Sequence, residues 1–192
     1  MAIQKIVYHA SPQQGLKKLE PCESTNLSKW VYATRDKNIA ALFLGRFLGD
    51  LSCQIGRDNG ETGLPFICER FKGAFEKRYN LSGSIYFLDG SSFVETKTSW
   101  KEEVVCPYEV IPIDEEKIEN VGNYIHTIAR KGQIIMVRYP KKICGIPEDD
   151  RDLVMKASRW IQEGRIGIRD DIKRYHPNLL DRVLKEVNSK QK

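Results

Sequence analysis

Lys5-Ile6-Val7-Tyr8-His9-Ala10-Ser11, taken together with Trp30-Val31-Tyr32-Ala33-Thr34, decides how this chain folds. Each stretch is a short β-branched and aromatic run bounded by turn formers, the pattern of a buried strand. Each also carries polar groups where a plain core strand would continue in Val or Ile. Neighbouring strands ending in His-Ala-Ser and Tyr-Ala-Thr place donors and an aromatic ring at one rim of a sheet. That rim is a candidate site.

Working outward, Pro12 to Pro21 is a connector anchored by Leu16 and Leu19, and Glu23 to Lys29 a polar surface loop. After the Tyr32 strand, Asp36 is suited to cap a helix through Ile39, Ala40, Leu42, Phe43, Phe47 and Leu48. Gly56 to Gly63 reads as a mobile excursion beside the site. Ile67, Phe71, Phe75 and Tyr79 recur at helical spacing and predict a second helix. Ser84 to Leu88 and Ser92 to Glu95 predict strands around an Asp89-Gly90 turn. Val104 to Cys106 and Glu109 to Ile113 are extended pieces broken by prolines. Glu115 to Ala129 predicts a helix, Ile134 to Val137 a strand, and the chain beyond Pro147 a set of amphipathic helices.

These elements predict an α+β fold in two parts, an α+β domain over 1–147 and a helical C-terminal appendage over 148–192. At 192 residues the chain is long enough for a sizeable core. A net charge of +5 suits a phosphate-bearing small molecule but gives no strong nucleic-acid signal. No apolar run reaches membrane-spanning length, and Met1 leads directly into a strand without a signal-peptide pattern. Cys22, Cys53, Cys68, Cys106 and Cys144 lie far apart with no Cys-x-x-Cys, so neither a disulfide framework nor a zinc site is expected. The expectation is a cytoplasmic protein with free thiols and no metal.

Phosphate-binding and dinucleotide-binding glycine motifs are absent, as is a serine-hydrolase elbow. His9, His126 and His176 are too isolated for a metal pair. What remains is His9, Tyr32 and the acidic pair Glu102-Glu103 ahead of Val104-Val105. Taken singly, each has a plain structural reading: a satisfied histidine, a core aromatic, a solvated strand end.

Their joint order changes that reading. Tyr8-His9-Ala10-Ser11, then Val31-Tyr32-Ala33-Thr34, then Phe43 eleven residues after Tyr32, then Glu102-Glu103-Val104-Val105 resembles the ADP-ribosyltransferase superfamily. More narrowly it is similar to the His-Tyr-Glu branch, which includes poly-ADP-ribose polymerases and rifampin-modifying transferases. The resemblance implies a split, two-lobed, mostly antiparallel sheet with helices outside and NAD held as co-substrate in the cleft. It implies that His9 bonds the adenosine ribose with help from Ala10 and Ser11. It further implies that Tyr32 flanks the nicotinamide, with Thr34 and Phe43 nearby, and that Glu102 or Glu103 is the catalytic carboxylate. Glu102 is favoured, since on a strand the two would face opposite ways. Phe43 stands where the family usually has a second stacking tyrosine, so the ring is kept and its hydroxyl is not.

The implied activity is transfer of ADP-ribose from NAD to an acceptor (protein, nucleic acid or small molecule) with release of nicotinamide. A non-catalytic nucleotide- or protein-binding module of the same fold is the alternative. An RNA 2′-phosphotransferase relationship is disfavoured, because no matching arginine arrangement is present. The C-terminal helices offer a docking surface for a protein partner, such as a neutralising protein if the chain is a toxin.

Overall fold

The computed structural model describes residues 6–23, 29–58, 60, 62–95 and 100–189. In chain order the first elements are β1 (Ile6–Ser11), β2 (Cys22–Glu23), β3 (Lys29–Thr34) and α1 (Lys37–Leu42). Then come β4 (Cys53–Arg57), β5 (Pro65–Glu69), α2 (Ala74–Tyr79), β6 (Gly83–Asp89), β7 (Glu103–Cys106) and β8 (Asp114–Ile118). The rest are α3 (Val121–Arg130), β9 (Ile135–Val137), α4 (Arg151–Gln162), α5 (Ile168–Tyr175) and α6 (Leu180–Ser189). The protein is thus α+β. It divides into two compact units, one of residues 1–46 with 79–134 and one of residues 47–78 with 135–192.

The first unit is an antiparallel sheet in the order β2-β3-β1-β6-β8, with β7 also paired to β3. Register follows the apolar alternation. Val7, Val31, Ala33, Leu88, Val104 and Cys106 share one face and are all buried. Burying one Val or Leu contributes about 1.5–3 kcal/mol, more than surface ion pairs, which are screened by water, typically contribute. A one-residue slip would expose the whole set, so the apolar face holds the register. On α1, the Asp36 carboxylate accepts from the backbone N–H of Asn38 at 2.8 Å, the expected cap. The helix ends at Leu42 rather than Leu48, because the Phe43 N–H closes a tight turn on Ala40.

The second unit has a three-stranded sheet, β4-β5-β9, in which β4 and β5 are antiparallel and β5 and β9 parallel. Here the structure corrects the helix expected over Ile67 to Tyr79. Pro65–Glu69 is a strand bonded on both edges and buried throughout, and α2 begins only after Gly73, whose φ is +78°. The four-residue recurrence of apolar side chains straddled two elements. The helix expected from Glu115 likewise splits. Asp114–Ile118 pairs with β6 as β8, and the helical stripe starts at Val121, capped by the Asn120 side chain. In place of a strand over 92–95 there is a short 3-10 turn and a single bridge between Val94 and Val105.

The division expected at 147 differs from the observed one. Leu153, Ala157, Ile172, Val183 and Val187 close around Leu51, so the C-terminal helices share a core with the segment after Arg46. Arg70, itself buried, reaches Asp152 at 2.6 Å and Asp150 at 2.9 Å. These helices are part of a unit rather than an appendage to a domain ending at 147. The excursion after Gly56 is the β4–β5 connection. Its Asn59 and Glu61, like Lys5 and residues 24–28 of the polar loop, lie outside the described residues. Among the described residues no helix is long and apolar enough to cross a membrane.

Gly83 opens β6 where a Cβ would sit 2.8 Å from Leu44 Cδ2 and 2.9 Å from the Ser11 carbonyl oxygen. The leucine can turn aside; the backbone oxygen cannot. Gly83→Ala should therefore cost about 1–3 kcal/mol, read as a lower urea midpoint at unchanged slope.

Candidate functional site

β1 and β3 run side by side but register at one residue pair, Tyr8 with Thr34. Beyond it the strands are joined differently, by the His9 imidazole. Its Nδ1 lies 2.6 Å from the Tyr32 carbonyl oxygen. A carbonyl only accepts, so Nδ1 carries the proton, and in the neutral ring Nε2 keeps a lone pair for a hydroxyl donor. Burial pushes the His9 pKa below its ordinary 6.5, the Tyr32 carbonyl opposes that, and the Arg46 charge adds to the depression. The imidazole is neutral at pH 7.

A cleft of about 450 Å³ opens here, within the range usual for small-molecule sites. His9 and Tyr32 line it with Trp30, Lys17, Lys18 and Arg46. The connector after β1 forms its wall, held by a polar cluster beneath. Glu115 Oε1 accepts from Gly15 N at 2.7 Å and from the Ser84 hydroxyl at 2.6 Å. The Tyr86 hydroxyl donates to the Gln13 carbonyl at 2.8 Å and accepts from Leu16 N at 3.0 Å. Burial pushes the Tyr86 phenol up, and the donors around Glu115, Gly15 N foremost, hold its carboxyl below the usual range.

Glu102 and Glu103 stand elsewhere on the same sheet. Glu103 pairs with Thr34 and Val105 with Tyr32, so Glu103, Thr34 and Tyr8 make one row across β7, β3 and β1. Paired residues share a face and neighbours along a strand alternate. Tyr32 and Glu103 therefore point to one face, and His9 to the other, with Val7 and Tyr86. Glu102 lies in the turn before β7, where the Glu103 N–H bonds the Trp100 carbonyl at 3.1 Å. The Phe43 ring is 5.1 Å from that of Trp100, so it belongs with the glutamates and not with the cleft. Ala10, Ser11 and Thr34 also lie off the cleft lining, Ser11 and Thr34 being buried.

The structure thus presents two neighbourhoods within one unit: a cleft at His9 and Arg46, and an aromatic and acidic group at Phe43, Trp100, Glu102 and Glu103, with the Tyr32 side chain on the Glu103 face. Trp30 and Trp100 escaped the sequence reading as site residues. Trp30 was legible only as a strand residue, and Trp100 carried no motif. The chain matches no protein-family model, no curated protein and no solved structure. Its class is set by its own architecture, an α+β protein whose antiparallel sheet carries a cleft lined by His9, Trp30, Lys17, Lys18, Glu20 and Arg46.

Half-buried His9 and buried His176 set a pH dependence. His176, whose ring bonds the Leu51 carbonyl at 2.7 Å, is also depressed by burial. As pH falls the unfolded chain takes up these protons first, so stability is full above pH 6.5 and declines as pH drops through the native values. Melting temperatures from about pH 8 down to about pH 5 should fall, and His9→Gln should remove part of the slope. Tyr86→Phe should cost about 1 kcal/mol and loosen the cleft wall, seen as faster amide exchange at Leu16.

Proposed function

We propose that the protein transfers ADP-ribose from NAD to an acceptor, releasing nicotinamide. The observation carrying this reading is the lateral order β7-β3-β1. The three segments that bear Glu102-Glu103, Tyr32 and His9 are laid edge to edge although they are far apart in sequence, and a cleft opens where the β1–β3 ladder gives way to a side chain. The coarse α+β architecture with its antiparallel sheet agrees with this reading.

The chemistry asks for little beyond position and charge. The bond between ribose C1′ and the pyridinium nitrogen breaks with its electron pair going to nitrogen, so nicotinamide leaves neutral and no general acid is needed. The sugar carbon acquires oxocarbenium character, as in glycoside hydrolysis. A fixed carboxylate beside it, Glu102 or Glu103, stabilises that charge by about 3–4 kcal/mol. The acceptor nucleophile then bonds C1′ and gives up its proton. His9 Nε2, a bare acceptor in the neutral ring, suits a ribose hydroxyl. Aromatic faces such as Tyr32 and the Phe43–Trp100 pair suit a flat cationic ring, about 0.5–2 kcal/mol of cation–π attraction.

One observation favours a second reading. His9 faces away from Tyr32 and Glu103, and a module that only binds a nucleotide needs the His9 cleft alone. Incubation with NAD separates the two. Transfer predicts free nicotinamide and a labelled acceptor, with turnover falling about 100- to 1,000-fold in either Glu102→Gln or Glu103→Gln while the melting temperature holds. NAD binding without nicotinamide release would leave only the binding module.

A further inference from the structure

We propose that Arg46 is the residue that binds the diphosphate of the dinucleotide. The assignment rests on the cleft being the NAD site and names its anion-binding group.

A dinucleotide has two ends, and its diphosphate lies between them. The two neighbourhoods on this unit are joined along the chain by a short link: Phe43, against Trp100, closes α1, and three residues later Arg46 lines the His9 cleft. A ligand with one ribose at His9 that extends toward Phe43 follows the short link that carries Arg46.

Three other cations near the sheet are engaged. Arg35 pairs with Glu95, Lys37 pairs with Glu116 at 2.6 Å, and Lys18 pairs with Glu20 at 2.7 Å and Glu109 at 2.8 Å. Lys101 is exposed and does not line the cleft. Lys17 lines it too and is exposed, as Arg46 is, but it offers a single ammonium. Among the described residues Arg46 has no carboxylate partner. Its planar, permanently charged fork matches two phosphate oxygens at once, which an ammonium does not. A neutral imidazole and an arginine side by side divide the work: His9 takes a hydroxyl, Arg46 an anion. Arg46 already disfavours a proton on His9, so an anion bound there would ease His9 protonation.

Binding of ADP and of adenosine to the full chain, by calorimetry, tests the assignment. ADP should bind more tightly than adenosine. Arg46→Gln should weaken ADP by about 10- to 100-fold and leave adenosine unchanged, and Arg46→Lys should recover part of the loss. In the unaltered chain, ADP should raise the His9 pKa, followed by imidazole NMR, more than adenosine does, which keeps the test intact should the variants fail to fold. Equal loss of ADP and adenosine in Arg46→Gln, unchanged ADP affinity, or no ADP binding at all would overturn the assignment. If the wild type releases nicotinamide and Arg46→Gln keeps its KM for NAD, the assignment falls and the transferase reading stands. If ADP binds through Arg46 but NAD is never cleaved, the transferase reading falls and the assignment stands.

Discussion

The hydrogen bond from His9 Nδ1 to the Tyr32 carbonyl is the constraint on which the site depends. A ladder between β1 and β3 would satisfy that carbonyl with a backbone N–H and close the gap between the strands. Here a side chain does so, and among the described residues the ladder registers only at Tyr8 and Thr34. A buried carbonyl left unpaired costs about 1–3 kcal/mol, so the imidazole is held in one tautomer by the backbone it serves. The same bond fixes what the ring offers to a ligand, namely an acceptor. Burial outweighs the bond in setting the pKa, which keeps that acceptor bare at pH 7.

The opening also needs a wall, and this comes from β6 and β8. Glu115, Ser84 and Tyr86 together hold the connector after β1 at three backbone points, Gly15 N, Gln13 O and Leu16 N. Polar groups under a loop are costly unless each is satisfied. The apolar half of the same task falls to Leu19, which pairs with Val110 across the face that buries Val7 and Leu88. One sheet face therefore does two jobs: it forms the core of the unit and carries the connector that bounds the cleft.

Much of this was legible from residues whose chemistry is local. β-branched and aromatic runs give β1, β3 and β7 directly, and the Asp36 cap is a two-residue pattern. The failures share one cause. Ile67, Phe71, Phe75 and Tyr79 are spaced as a helix stripe, but Pro65–Glu69 is buried between β4, just before it in the chain, and β9, which arrives from a distant part, and tertiary contact overrides periodicity there. The helices after 150 were legible as helices; that they close on Leu51 was not, because a stripe does not name its partner. At the site, His9 and Tyr32 were legible through their order. Arg46 carries no motif in the sequence, and pairing with Glu95 and Glu116 is what separates Arg35 and Lys37 from it.

The separation of His9 from the glutamates bears on what kind of ligand fits. Along a strand residues advance about 3.3 Å, and across a sheet strands lie about 4.8 Å apart. Glu103 is two strands over and at least one row along from His9. A compact ligand touching His9 would leave the carboxylates idle, and one at Glu103 would leave the imidazole idle. The two also face opposite sides of the sheet, so engaging both takes an extended molecule, and the proposed dinucleotide is one. The side chains supply the complementary sequence: an acceptor at His9, a cation at Arg46, then rings and carboxylates at Phe43, Trp100, Glu102 and Glu103. That set of chemistries is what the proposed dinucleotide would engage, and neither a sugar nor a simple anion would engage all of it.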